Sequence, residues 1–115
     1  MLFRSECVYI TFQVPPYNFT LALQDFARAY KAKYGSDPNG YEVYGYDYAN
    51  LAFSAVKKAG SADHQKVIDA LRSGSVPGIL VKEYAFDENG DVKTPALYTY
   101  TVIGDQFKLV EEYQG

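Results

Sequence analysis

The side chains that could do chemistry are sparse and poorly spaced for it. His64, the one histidine of the chain, stands beside Asp63, and no serine lies in a glycine-flanked nucleophile turn, so a Ser-His-Asp arrangement finds no support. Cys7, the one cysteine, alternates with Tyr9 and Thr11 in a strand-like run, the pattern of a buried apolar thiol rather than a nucleophile. One cysteine and one histidine supply neither an internal disulfide nor a usual structural zinc site. The acidic run Asp87–Asp91 (DENGD) has its glycine at the fourth position, not the sixth, and no glutamate at the twelfth; it reads as an Asn-Gly hairpin turn rather than a calcium loop. Glu111 and Glu112 are neighbours on a strand-like segment and therefore point to opposite faces. The glycines stand singly at element ends, with no phosphate-cradling loop. The residues thus argue for a protein that is not an enzyme and takes no metal or other cofactor.

Binding chemistry has a better claim. Twelve tyrosines and seven phenylalanines accompany no tryptophan, and Tyr41, Tyr44, Tyr46 and Tyr48 crowd into the segment YEVYGYDY. Tyr41 stands at the start of an expected helix, beside a turn. An aromatic ring there can close over an apolar group, while the positive helix end favours a carboxylate.

Composition bounds the partners. Eleven basic against fourteen acidic residues give a net charge of −3 with no basic stripe, so nucleic acid is not an expected partner. No apolar run reaches the roughly 18 residues of a membrane span, and the N-terminus lacks a signal-peptide pattern. With 115 residues, 48% hydrophobic and 22% charged, one globular domain is the ceiling.

The elements that must position these residues follow from periodicity. Cys7–Val14 (CVYITFQV) predicts a strand ended by Pro15-Pro16. Asn18 is placed to cap a helix with Leu23, Phe26, Ala27, Tyr30 and Tyr34 on one side, stopped by Gly35. After the turn SDPNG, a second helix carries Tyr44, Tyr48, Leu51, Ala52, Ala55 and Ala59 inward up to Gly60. Ser61 or Asp63 caps a third helix with Val67, Ala70 and Leu71 inward, closed by Gly74 and Val76-Pro77. From Ile79 the period turns to strand: ILVKEYAF, the DENGD turn, LYTYTVI, a Gly104-Asp105 turn and QFKLVEEY predict an antiparallel meander. One opening strand, three helices and a closing meander leave the first strand without a sequence-adjacent partner, as if strands were missing.

The order of motifs, DFARAYKAKYG-SDP, YEVYGYDYANLAFSAVKKAGS, HQKVIDAL, EYAFDENGDV and YTYTVIGDQFKLV, resembles the C-terminal part of the branched-chain amino acid-type (leucine-binding-protein-like) substrate-binding proteins of ABC transporters, from Val8 to Tyr113. The resemblance implies an α/β, type I periplasmic-binding-protein-like fold with Rossmann-like lobes. It places residues 6–115 as a C-terminal fragment, with first-lobe helices at about 18–75, hinge crossings near 12–17 and 91–97, and a terminal hairpin returning to the second lobe. It implies capture of a small amino acid-like solute by lobe closure and delivery to an ABC permease. The family often carries a cleft-facing aromatic at the start of the YxxxGYD helix, here Tyr41, with Tyr44 and Tyr17 as secondary ligand-binding candidates. The groups that hold the ligand's carboxylate and amino ends lie upstream in the family, so the chain alone is expected to bind ligand poorly.

The resemblance also implies a parent that is periplasmic or extracellular and lipid-anchored. Leu2–Ser5 (LFRS) reads as a translated sequencing-adapter stretch after Met1, and residues 1–5 are accordingly expected to be non-native. A fragment of this kind is expected to be marginally stable, to expose an open strand edge and to self-associate. Two alternatives stay open: a ligand-sensing domain with the same lobes, and a freestanding small α+β protein.

Overall fold

The computed structural model describes residues 8–113, so the expectations for residues 1–5 and for Cys7 lie outside the described residues. In chain order the elements are β1 (Tyr9–Phe12), α1 (Leu21–Tyr34), α2 (Glu42–Ala59), α3 (His64–Arg72), β2 (Ser75–Pro77), β3 (Glu83–Ala85), β4 (Tyr98–Ile103) and β5 (Gln106–Glu112). The three helices form where apolar spacing predicts them. Gly35 and Gly60 end α1 and α2 in the left-handed conformation (φ 79° and 61°), which costs glycine little.

Two caps are worth separating. Thr20, not Asn18, caps α1: its hydroxyl accepts from the Leu23 amide, while the Asn18 carbonyl accepts from the Gln24 side chain. For α3 the cap is Asp63, whose carboxylate accepts from the Lys66 amide, and Ser61 braces Asp63 from behind.

The strands depart from a meander. β1, β4 and β5 form one antiparallel sheet in the order β1-β4-β5, and β2 and β3 form a separate two-stranded hairpin. The run ILVKEYAF is therefore not one strand. Within it Glu83–Ala85 forms a strand, and it pairs backward, onto Ser75–Pro77, so Val76-Pro77 builds an edge strand instead of merely stopping a helix. The opening strand finds an antiparallel partner far along the chain, Ile10 facing Tyr100 and Phe12 facing Tyr98. The DENGD segment is a turn: the Asp87 carboxylate accepts from the Asn89 and Asp91 amides, and Phe86 bridges Val92. Gly104 and Asp105 both take positive φ (56° and 61°), the twist a two-residue hairpin requires.

What bends ILVKEYAF away from a strand is one buried charge. Val43, Asp47, Leu51 and Ala55, four residues apart, are the buried stripe of α2; Tyr48 and Ala52, expected inside, are exposed because the stripe is rotated by one residue. The Asp47 carboxylate accepts from the backbone amides of Ile79 and Leu80 and from the Tyr84 hydroxyl, each at 3.0 Å. Those amides would otherwise serve a sheet. Gly78 is required at this turn by close approach: a Cβ there would collide with the Tyr84 ring and crowd the Val81 carbonyl and the Asp47 carboxylate. With the loop so held, Leu80 joins Leu23 and Val43 in the core, against Tyr17, Phe26 and Tyr44.

The molecule is long for its size, at 60 × 35 × 24 Å with a radius of gyration of 17.3 Å, where a compact chain of this length has about 13 Å. The three-stranded sheet meets the helical part through few ties: the Tyr100 hydroxyl donates to the Val14 carbonyl at 2.6 Å, and Phe19 packs edge-on against Tyr98. Replacing Asp47 with Ala should cost about 3 kcal/mol in urea unfolding, since three donors lose a charged acceptor. A loss below about 1 kcal/mol would contradict this role for the carboxylate.

Candidate functional site

Site geometry is set by the start of α2 and by the chain leaving β1. Tyr41 occupies the residue before α2 in helical conformation (φ −83°), and its ring is 58% exposed. Phe12, the last residue of β1, packs edge-on against it with ring centres 5.7 Å apart. From Tyr41 the rings run along one side of α2, with Tyr44 at 6.2 Å, Tyr48 a further 5.5 Å on, and Tyr84 at 5.8 Å from Tyr48. Spacing of three and four residues puts them on one helical face. Edge-on and tilted geometry of this kind suits aromatic quadrupoles.

The three expected ligand contacts are treated differently. Tyr44 donates its hydroxyl to the Gln13 carbonyl at 2.7 Å, pinning the exit from β1 to α2. Burial, helped by the adjoining Tyr48 and Tyr41 phenols, pushes Tyr44 up to about 12. Tyr17 donates to the Gly40 carbonyl at 3.1 Å and stacks on Phe26. Burial and the Glu42 carboxylate push its phenol up to about 12 as well. Both phenols stay neutral donors at neutral pH and act as fasteners. Tyr41 and Tyr44 are brought together; Tyr17, tied to the Gly40 carbonyl, lines an apolar hollow of about 380 Å³ with Ile10, Phe12, Val14, Tyr100 and Phe107.

The positive end of α2 is already engaged by the chain's own acid. The Glu42 carboxylate accepts from the Gly40 amide at 2.8 Å, and backbone amides, that of Asn39 foremost, hold its pKa below the usual carboxylate range. The resident carboxylate thus ties the turn at Asn39 and Gly40 to the first residue of α2 and sets a negative charge beside Tyr41. What the surface offers a solute is aromatic area beside a negative charge.

Sequence reasoning missed Phe12 and Asp47. Phe12 was one apolar residue among several in its strand. Asp47 carried a readable signal: an acid four residues from both Val43 and Leu51 falls on their buried stripe, where a charge stands only if backbone or side-chain donors meet it.

Comparison with known proteins agrees with this architecture. Residues 5–106 match the family described as periplasmic binding protein, and the chain belongs to that family. A Leu/Ile/Val-binding protein homolog of Brucella abortus is 30% identical over 76 residues, which is 66% of this chain and 20% of the relative. The homolog of Brucella suis is 32% identical over 66 residues, 57% of this chain and 18% of the relative. The chain thus spans about a fifth of the length of these curated relatives. A leucine binding protein of Thermotoga maritima superposes with a TM-score of 0.72 at 22% identity, over 94% of this chain and 31% of that one. A periplasmic binding protein of Burkholderia mallei gives 0.78 at 20% identity, over 94% and 30%. These likenesses establish the fold as part of the type I periplasmic binding protein architecture, an α/β fold with an antiparallel sheet at one end.

Because Glu42 has a folded-state pKa below its unfolded value, its contribution is present above about pH 4.3 and is lost as pH falls through the folded value. Glu42→Gln should lower stability at neutral pH and flatten the acid limb of the stability–pH curve. An acid limb unchanged by the substitution would contradict the assignment.

Proposed function

We propose that this chain forms part of the solute-binding component of an ABC transporter, one that captures a small amino acid-like solute between two lobes and presents the closed form to a membrane permease. No covalent chemistry is required. The observation that carries the reading is the membership of residues 5–106 in the periplasmic binding protein family, joined to a ring, Tyr41, left exposed at the helix start beside the chain leaving β1.

In this reading the helices over about 18–75 belong to one lobe, the passages near 12–17 and 91–97 are hinge crossings, and the hairpin of β4 and β5 returns to the other lobe. The elongated shape and the few ties between sheet and helices support that division. Closure works by population shift: a solute that touches both lobes binds the closed form better, and its binding energy moves the hinge equilibrium. Tyr41 supplies one wall, with Phe12 and Tyr44 holding its ring, and covers the solute's apolar part. The periplasmic setting of the family is the setting proposed for the protein to which the chain belongs. The ligands held by two structurally similar proteins, leucine in one from Desulfitobacterium hafniense and benzoate in one from Rhodopseudomonas palustris, bracket the solutes to try first.

The test has two arms. The 115-residue chain, carrying one wall of the site, should show no rise in melting temperature with leucine, valine or benzoate. A protein extended with its natural upstream coding sequence should bind one of these solutes by calorimetry, and Tyr41→Ala in it should weaken binding by about tenfold or more, the equivalent of ~1.4 kcal/mol. Binding that is indifferent to Tyr41→Ala, or an upstream sequence that encodes no further strand-helix units, would overturn the proposal.

A further inference from the structure

We propose that Asn89 is a site of spontaneous deamidation through a cyclic imide, and that Asn39, in the same dipeptide, is guarded against this reaction by the Glu42 carboxylate. The chain holds two Asn-Gly pairs, Asn39-Gly40 and Asn89-Gly90. Glycine after asparagine favours the reaction because it has no Cβ to shield its main-chain nitrogen. That nitrogen loses its proton and attacks Cγ of the asparagine. The new N–C bond forms as the Cγ–Nδ2 bond breaks, and ammonia leaves with the proton. Water then adds to one of the two imide carbonyls, and the ring opens to aspartate or, through the other carbonyl, to isoaspartate. The sequence consumes water alone and needs neither an enzyme nor an oxidant.

The two pairs are alike in sequence and unlike in what holds the glycine amide. The Gly40 amide donates to Glu42 Oε2 at 2.8 Å. A carboxylate on that proton opposes its loss, since the anion left on nitrogen would face a second negative charge. The rest of the peptide is fixed as well: the Gly40 carbonyl accepts from the Tyr17 hydroxyl at 3.1 Å, and the buried glycine packs against the Val14 side chain. Turning this peptide toward the Asn39 side chain would break both ties together.

Gly90 stands differently. Its amide donates to the Asp87 carbonyl at 3.2 Å, a long neutral bond. The Asp87 carboxylate accepts from the Asn89 and Asp91 amides on either side of it, both at 2.9 Å. Asn89 and Gly90 are exposed, and the space beside the Gly90 α-carbon is open; local opening of such a turn costs little. The contrast is made within residues 14–42 and 85–93 themselves, and it stands or falls independently of the solute-binding reading. Either product adds a carboxylate to a turn that already carries Asp87, Glu88 and Asp91. Isoaspartate also routes the main chain through the former side chain, inserting an extra carbon into the loop that the Asp87 amide closes on the Asp91 carbonyl at 2.9 Å. The adjoining bridge between Phe86 and Val92 is the pairing it should loosen.

Trypsin separates the two sites, Asn89 in residues 83–93 and Asn39 in residues 34–57. After days in mildly alkaline buffer at physiological temperature, mass spectrometry of the 115-residue chain should show Asn89 converting about tenfold or more faster than Asn39. In concentrated urea the two rates should converge, because the guard exists only in the folded chain. Glu42→Ala, which removes the acceptor, should speed conversion at Asn39 and leave Asn89 unchanged in the same molecule. If that variant fails to fold, the comparison of native with urea-unfolded wild type still decides. Conversion at Asn39 as fast as at Asn89 in the native chain would overturn the proposal. So would a native Asn89 left intact over a period that converts both sites in urea, or a folded Glu42→Ala chain whose Asn39 stays as slow as in the wild type.

Discussion

The carboxylate of Asp47, buried in α2 and met by the Ile79 and Leu80 amides and the Tyr84 hydroxyl, is the interaction on which the rest of the structure hangs. A charge removed from water is tolerated only when its acceptor capacity is used, and here two backbone donors and a phenol use it. The arrangement solves two problems together. It gives the carboxylate its partners, and it gives the amides of an irregular crossing, which no sheet serves, an acceptor. Burial and the nearby charge hold the Tyr84 phenol well above its ordinary range, so it is a donor at neutral pH.

From that clip the candidate site follows by packing. Leu80 is delivered onto Leu23 and Val43, fixing α1 against the start of α2. Tyr84 meets Tyr48, and the file of rings continues through Tyr44 to Tyr41 and Phe12. Tyr44 ties the chain leaving β1 to α2, and Tyr17 ties the Gly40 turn to the core. Tyr41 is held by its neighbours while its own face stays open to solvent. Preorganisation of that kind is what a binding wall needs, because a ring already in place loses little freedom when a solute arrives.

Much of this was legible in the residues, and the failures have physical causes. Helical periodicity and terminal glycines located α1, α2 and α3, since those signals are local. The Gly104-Asp105 and Asn89-Gly90 turns were equally local. Strand pairing was not: β1 pairs with β4 across most of the chain, and no feature of CVYITFQV names its partner. ILVKEYAF has strand composition throughout, yet a side chain more than thirty residues earlier claims its amides, a tertiary override of local preference. The prominence of Tyr41 came through resemblance to the family, whereas the work of Tyr17 and Tyr44 as fasteners became visible only with the carbonyls of Gly40 and Gln13 in place. The tie between the Glu42 carboxylate and the Gly40 amide was likewise not readable from helix polarity alone, because it depends on how the preceding turn folds back.

Amide hydrogen exchange at Ile79 and Leu80 tests the central claim most directly. Both residues lie outside regular secondary structure, and an ordinary surface turn would exchange their amides by local fluctuation, orders of magnitude faster than the helices. If the Asp47 carboxylate organises the fold, these two amides exchange as slowly as the best-protected amides of α2, through the same global opening. Exchange at the rate of an unprotected loop would contradict the account.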